Sequence, residues 1–365
     1  MNKMIIANLA YRPVRSIISI IAVAVEVTLI LLIVGLALGL LNDSKQRTQG
    51  IGADVMVRPP GTSILTAFSG APMSMKIADT LRKQPHVVVV SPVVAQITSS
   101  NTLEAINGID LDSFEKMGGP LQYIHGGPFR GPDSVIVDDY YADSNKVRVG
   151  SVIETLNHKF TVTGVVLHGR GARRYIPIAT MQELTGAQNK ASVFYVKVDD
   201  PKNAGAVAEQ LKTVLQGFNI VSTEEFLSLM SADRIPGLSI FINIVIGISV
   251  IVGFIVIFQS MYTAVMERTR EIGILKSLGA SKLYIMRIIL RETLMLAIGG
   301  IIFGIAVSVI ARAGIRGKWP TLPVQITWNW IFYSAVIAVV GAMFGAIYPA
   351  FKAAQKDPID ALAYE

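Results

Sequence analysis

Four long apolar runs divide the chain, and charge is almost absent from them. They cover residues 17–41, 235–266, 293–311 and 319–351, with Glu26 as the one charge inside the first run. About 20 apolar residues suffice to cross a bilayer as a helix. Because Pro320 and Pro323 favour a loop, the last helix is expected to begin near Trp328. The pattern predicts four transmembrane helices, the last three at about 238–266, 290–312 and 328–350.

Nearly 200 residues of mixed polarity separate the first two runs and predict a large α+β extracytoplasmic domain at 43–236. A strand-helix-strand pattern occurs there twice, at 53–58, 75–83 and 87–90 and again at 192–198, 203–215 and 218–221. The two units are expected to pair into one layer. Between them, a strand-rich subdomain is predicted at about 96–190. It includes a hairpin turning at Asn157-His158.

A short charged segment links the second and third runs. Its basic residues are Arg268, Arg270, Lys276, Lys282, Arg287 and Arg291, and its acidic residues are Glu267, Glu271 and Glu292. Apolar residues recur in it at helical spacing, at Ile272, Leu275, Leu278, Leu283, Met286 and Ile289. A basic amphipathic segment between two membrane helices is typical of a cytoplasmic surface element. We call residues 267–292 the elbow.

Composition and charge agree with a membrane protein and predict its orientation. The chain is 52% hydrophobic and 16% charged, whereas roughly a quarter of a soluble protein is charged. Its net charge of +7 is concentrated near the apolar runs. Lys and Arg favour the side shared by the elbow and both termini, so we expect that side to be cytoplasmic. The predicted domains are 1–42 with the first helix, 43–236 outside the cytoplasm, and 237–365 with the remaining helices.

Catalytic and metal-binding patterns are missing from the sequence. No phosphate-binding G-x-x-x-x-G-K-[ST] motif occurs, so we expect no ATPase activity in this chain. The four histidines lack metal-ligand spacing, and with no cysteine there is no thiolate site. We therefore predict neither an enzyme, nor a bound metal, nor a nucleic-acid partner. The basic segment at 170–174 could bind an anion or a partner, but an exposed, solvated loop is the favoured interpretation.

Two further features each allow two interpretations. Glu26 lies inside an apolar run, where an ionisable group is costly. It is either a contact at a helix interface or substrate site, or a structural residue with a partner such as Ser19. The apolar loop around Ile64, Leu65, Phe68 and Met73 either contacts a cargo or partner, or packs against its own domain.

The elbow carries a family resemblance. Met266-Glu-Arg-Thr-Arg-Glu-Ile-Gly-Ile-Leu-Lys-Ser-Leu-Gly-Ala-Ser281, between two predicted spans, resembles permeases of the MacB/FtsX type, the membrane subunits of type VII (mechanotransmission) ABC transporters. The layout of one span, a large MacB-like periplasmic domain and three spans of an FtsX-like domain is also similar. The first span follows Met1 by only some 16 residues, so the resemblance is to stand-alone permeases without a fused ATPase.

The resemblance implies a homodimer in the bacterial inner membrane, bound to a cytoplasmic ABC ATPase dimer that holds ATP and Mg. It also implies contact with lipids and, in efflux systems, a periplasmic adaptor. The implied function is export or extraction of an apolar or amphiphilic substrate; the alternative is FtsX-like signalling to a partner such as a cell-wall hydrolase. The residues that fall on the ATPase-coupling segment are Glu267, Arg268, Arg270, Glu271, Ile272, Gly273, Leu275, Lys276, Leu278, Gly279 and Ala280. In this segment Gly273 and Gly279 are expected to let the chain turn.

Overall fold

The structure, a computed structural model, describes residues 13–61, 73–99, 103–231, 234–235 and 237–356. The chain divides into two compact units. The membrane unit comprises Met1–Leu38, Gly237–Gly317 and Val324–Glu365, and the inserted unit comprises Gly39–Pro236 and Lys318–Pro323. The inserted unit thus begins slightly before the predicted residue 43 and includes six residues between the third and fourth long helices.

In chain order up to residue 229, the helices and strands are α1 (Pro13–Gly50), β1 (Val55–Arg58), β2 (Met73–Ser74), α2 (Lys76–Arg82), β3 (Val87–Ser99), β4 (Leu103–Ile109), α3 (Leu111–Gly118), β5 (Tyr123–Gly126), β6 (Ser134–Asp138), α4 (Asp139–Asn145), β7 (Val152–Thr155), β8 (His158–Val166), β9 (Arg174–Pro177), α5 (Ile178–Leu184), β10 (Lys190–Ala191), β11 (Val193–Val198), α6 (Ala204–Val214), β12 (Asn219–Ser222) and α7 (Thr223–Leu229).

The two repeated units of the sequence interleave in one sheet, as predicted. β1 pairs antiparallel with both β11 and β12, and β11 pairs antiparallel with β3. The two repeated helices, α2 and α6, cover these strands. Their buried residues Leu81 and Leu211 join Val55 and Val196 in one apolar core. Burying a side chain of this size contributes about 1.5–3 kcal/mol each, which explains why both helices are fixed on this face.

The strand-rich segment at 96–190 continues the same sheet. The strand order is β12-β1-β11-β3-β4-β9-β6-β8-β5, with β7 beside β8. The long strand β3 joins the two parts, because it pairs with β11 along one stretch and with β4 along the next. The segment has its own apolar core, which includes Ile106, Val137 and Phe160. The predicted hairpin is β7–β8, and its turn is Leu156-Asn157, both at positive φ, one residue earlier than expected.

The membrane unit contains the start of α1 together with α8 (Leu238–Glu267), α9 (Thr269–Ser277), α10 (Lys282–Lys318) and α11 (Trp328–Gln355). Within the described residues, α1, α8, α10 and α11 are long and apolar enough to cross a membrane, which agrees with the four predicted spans. The helix that contains the third predicted span, 290–312, extends beyond it at both ends. The side chain of Ser281 accepts a hydrogen bond from the Tyr284 N–H at 3.2 Å and starts α10 at Lys282.

The long helices of the membrane unit pack as two close pairs. In the first pair, a Cβ added at Gly304 of α10 would lie 2.8 Å from the Ala24 carbonyl oxygen of α1, and one added at Gly300 would lie 2.5 Å from the Val23 Cβ. Thr28 also donates to the Gly304 carbonyl at 3.2 Å. In the second pair, a Cβ at Gly345 of α11 would lie 2.9 Å from the Phe254 carbonyl oxygen of α8. Small residues therefore set both close approaches.

This packing predicts that glycine-to-alanine substitution has opposite effects on stability at two positions of α10. Gly304→Ala should destabilise the membrane unit by about 1–3 kcal/mol, because the new methyl group has no space. Gly314→Ala is the matched control, since nothing lies within 4 Å of its added Cβ. It should be neutral or stabilise the helix by up to about 1 kcal/mol. Equilibrium unfolding of the detergent-solubilised chain measures both, and equal effects would contradict the packing.

Candidate coupling site

Within the elbow, the short helix α9 lies between two breaks in the chain. α8 ends at Glu267, and the Thr269 hydroxyl donates to the Met266 carbonyl at 2.8 Å at the first break. α9 ends at the second break, where Gly279 has a φ of 93° and donates to the Lys276 carbonyl at 3.0 Å. This left-handed conformation favours glycine, so the predicted turn at Gly279 is confirmed. Gly273 is different: it is buried inside α9, and its predicted turning role was wrong.

α9 has an inner face and an outer face. Thr269, Ile272 and Gly273 are buried on the inner face, and Ile272 belongs to the core of the membrane unit. The outer face presents Arg270, Glu271, Ile274 and Leu278, of which Ile274 is 44% and Leu278 79% exposed. Leu275 and Lys276 are half-buried, Gly279 is exposed and Ala280 is partly buried. Ile272, one of the residues of the implied coupling segment, therefore packs within its own chain.

Lys276 fastens the elbow to the end of α11. Its Nζ donates to the carbonyl oxygens of Ala354 at 3.1 Å and Lys356 at 2.5 Å. A cation at the last carbonyls of a helix satisfies acceptors that have no partner inside the helix. Lys276 thus has a role inside the membrane unit, which the sequence alone did not indicate.

A buried carboxylate connects the elbow to α1. Glu292 of α10, whose side chain is 3% exposed, accepts from Arg15 at 3.0 Å and from Arg268 at 3.1 Å. A second carboxylate, Glu267, lies 3.6 Å from Arg15. We call these four residues the elbow ion cluster. Arg15 and Glu292 were not predicted as site residues, because 277 positions separate them along the chain.

An apolar cavity of about 300 Å³ lies beneath the elbow. Its apolar walls come from three helices: Met261 and Val265 of α8, Ile272 and Leu275 of α9, and Ile285 and Ile288 of α10. Arg268 and Glu292 also border it. Because the space between α9 and α10 is incompletely filled, dispersion contacts hold the elbow less firmly here than in a close-packed core.

Comparison with known proteins assigns the family. The MacB-like periplasmic core domain family matches residues 16–214, and the FtsX-like permease C-terminal family matches residues 243–358. The chain belongs to the MacB/FtsX family of permeases. The second match contains all of α9, so the elbow lies inside the FtsX-like part of the permease.

Several relatives are similar over different parts of the permease. An uncharacterized ABC transporter permease, YknZ of Bacillus subtilis, is 33% identical over 59% of this chain and 55% of its own length. The macrolide export ATP-binding/permease protein MacB of Mannheimia succiniciproducens is 26% identical over 100% of this chain and 60% of its own. The chain thus spans about half to three fifths of these relatives. The solved periplasmic region of MacB from Actinobacillus actinomycetemcomitans is 20% identical, with a TM-score of 0.38, over 50% of this chain and 94% of that one.

Glu26 of the permease is buried inside the membrane unit. It is 3% exposed and packs against two glycines, with a Cβ added at Gly253 lying 2.1 Å from its Oε2 and one at Gly341 lying 3.7 Å from its Oε1. Oε1 has no hydrogen-bond partner among the described residues. Ser19, the partner suggested for it, contacts the Ser260 hydroxyl at 2.6 Å instead. The Glu26 carboxyl group is therefore enclosed by helices of one chain, and its role as an interface or substrate contact stays a prediction.

The apolar loop of the inserted unit is described only at its end. Met73 lies in β2 and is 4% exposed in the core of that unit, so it packs against its own domain and offers no surface to a cargo. Ile64, Leu65 and Phe68 lie outside the described residues. The part of this prediction that concerns them stays a prediction.

The basic segment at 170–174 is an internal network, which corrects the interpretation as a solvated loop. Arg173 is buried and pairs with Asp43 at 3.0 Å and with Asp138 at 3.1 Å. Arg174 is buried and donates to Thr155 at 3.2 Å, and Arg170 donates to the Phe114 carbonyl at 2.7 Å. Each arginine finds partners that are distant in sequence, and no local pattern could indicate them.

Burial raises the pKa of Asp138 from its ordinary 3.8 to about 6, against the opposing effects of Arg173 and the Tyr141 N–H. The folded protein therefore binds this proton more tightly than the unfolded chain does. It follows that this group stabilises the fold as pH falls from about 7 towards 4, and that this contribution is lost as pH rises through 6.

Asp138→Asn should remove this pH dependence and keep the cap of α4. Compared with the variant at equal pH, the native inserted unit should gain about 1–3 kcal/mol between pH 7 and pH 4. Hydrogen exchange of β6 and α4 peptides in the full chain measures the difference at each pH. Asp112→Asn, which removes an exposed carboxylate, is the control. A difference between native protein and Asp138→Asn that stays constant with pH would contradict the assignment.

Proposed function

We propose that this permease couples ATP hydrolysis by a separate cytoplasmic ABC ATPase dimer to movement of its periplasmic domain. In this way it exports or extracts an apolar or amphiphilic substrate. The observation that carries the proposal is the outer face of α9, which presents an exposed leucine and isoleucine among charges, while Ile272 and Lys276 anchor the helix to its own chain. ATP and Mg bind to the partner, and this chain supplies the docking site and the membrane path.

The chemistry of the outer face favours a protein partner over lipid headgroups. An interfacial helix buries its apolar face in the membrane surface. The apolar residues of the inner face of α9 are already buried in the protein, as Ile272 illustrates. Outside remain Ile274 and Leu278, with Arg270 and Glu271 of opposite charge about two turns before Leu278. An exposed apolar anchor with charges around it is typical of a binding hot spot and its polar rim.

The orientation and assembly belong to the same proposal. The excess of Lys and Arg at the elbow and near both termini supports a cytoplasmic position for that side. A homodimer and, for efflux, a periplasmic adaptor follow the pattern expected of the family. The names of the MacB relatives, which describe macrolide export, support export as the direction.

Export and signalling to a periplasmic partner differ in what should stimulate ATP hydrolysis by the complex. If the permease moves an amphiphile, a suitable amphiphile in proteoliposomes should stimulate ATP hydrolysis by the assembled complex and should be depleted from the bilayer. Stimulation by a periplasmic protein alone, with no movement of any amphiphile, would instead favour the signalling function.

Docking at the outer face predicts that Leu278→Ser weakens ATPase binding by roughly 30-fold, which corresponds to about 2 kcal/mol lost at a hot-spot residue. Leu278 is 79% exposed, so the substitution should not disturb folding. Titration of the solubilised permease with its partner ABC ATPase measures the affinity. Val152→Ser, in the inserted unit, alters another apolar residue at 62% exposure and should leave affinity unchanged. Equal affinities for both variants would rule out this docking site.

A further inference from the structure

The elbow ion cluster lies between the two helix pairs of the membrane unit. Glu292 and Arg15 belong to the pair α1 and α10, whereas Arg268 and Glu267 lie at the end of α8, in the pair α8 and α11. Between the pairs, the described residues also form the Ser19–Ser260 hydrogen bond and place Glu26 of α1 against Gly253 and Gly341. These polar contacts join the two helix pairs, the two halves of the membrane unit, alongside an apolar core that both pairs share.

Within each half the helices have little freedom to move separately. Gly300 and Gly304 bring α10 into backbone contact with α1, and Gly345 does the same for α11 and α8. A force on α10 is therefore carried to α1 as well. α9 joins the two halves through the chain itself, because it follows α8 and precedes α10.

Ion pairs orient the elbow against α1, in addition to the apolar core that contains Ile272 and the hydrogen bonds of Lys276 to the end of α11. The cavity beneath α9 removes part of the apolar packing that would otherwise fix its angle. Glu292 is buried and has a short charge-assisted contact on each side, one with Arg15 of α1 and one with Arg268 at the start of the elbow. Because both contacts are directional and share one carboxylate, they restrict the distance and the angle between α1 and the start of the elbow.

We propose that Glu292 is a positioning residue that holds α1 and the elbow in a fixed relation, so that α1 follows the elbow when the elbow is displaced. The inference rests on the proposed function for the source of the displacement. The fixed relation itself is a property of the permease alone. Neutralising Glu292 removes the anion that Arg15 and Arg268 share, and the angle between α1 and the elbow is then less narrowly determined.

Because the chain has no cysteine, introduced cysteines can carry spin labels that measure the distance between α1 and the elbow. Spin labels at Val14→Cys, at the exposed start of α1, and at Ser277→Cys, at the exposed end of α9, report the distance between the two elements. Labelled chains are diluted with unlabelled chains so that each complex carries one labelled pair. Distances are recorded for the permease alone, with the ATPase, and with the ATPase and ATP.

The native background should give one narrow distance distribution that ATP leaves unchanged, because α1 follows the elbow. Glu292→Gln should broaden the distribution by at least about twofold in the permease alone, since several orientations become populated. It should also make the distance depend on ATP. Glu292→Asp keeps the charge and should restore most of the narrow distribution. If Glu292 only filled space, the smaller aspartate side chain would not restore it.

Arg15→Gln tests the same point if Glu292→Gln does not fold, since it removes one contact and leaves Glu292 paired with Arg268. Arg316→Gln, an exposed charge at the other end of α10, is the control and should behave like the native chain. An unchanged narrow distribution in Arg15→Gln or in folded Glu292→Gln would overturn the proposal. Failure of the ATPase to bind the native permease would contradict the proposed function only, because the measurement on the permease alone still decides the role of Glu292.

Discussion

A buried ionised carboxylate is costly unless cations pair with it, and Glu292 is paired with two arginines from different parts of the chain. The pairing limits where Arg15 and Arg268 can lie, and therefore where α1 begins relative to the end of α8. Ile272 in the apolar core and Lys276 at the end of α11 also orient α9. The exposed leucine and charges of the outer face are a consequence of that arrangement.

Close packing at glycines connects the helices on either side of this ionic contact into pairs. In a membrane, helices cannot rely on the hydrophobic effect to associate, and small residues that allow backbones to approach take its place. Gly304 and Gly345 bring the helices together in two pairs. A shared apolar core and a set of polar contacts join the two pairs, and the ion pairs of Glu292 are among these polar contacts.

The sequence predicted the features that depend on local patterns. Four apolar runs gave the number of membrane helices, and alternating residues gave the interleaved strand-helix-strand units and the β7–β8 hairpin. Glycine at 279 marked a real break. The charges at Lys282, Arg287 and Arg291 marked the end of the elbow, and only the structure places these residues on the same helix as the third apolar run, with Ser281 as its cap.

The features that sequence could not supply depend on contacts between distant residues. Arg173 looked like part of a solvated basic loop, yet its partners Asp43 and Asp138 come from α1 and the end of β6. Gly273 looked like a hinge, but burial against the membrane core keeps it helical. Glu26 suggested an interface, and only the positions of Gly253 and Gly341 reveal that the space for its carboxylate is inside one chain.

The central claim is that the outer face of α9 docks on an ABC ATPase. The most direct test places a photoactivatable amino acid at Leu278 of the full-length permease in its native membrane and identifies the cross-linked product by mass spectrometry. The account predicts a product that contains an ATP-binding cassette subunit, and none when the same amino acid replaces Val152. Cross-links from position 278 to lipid alone would contradict it.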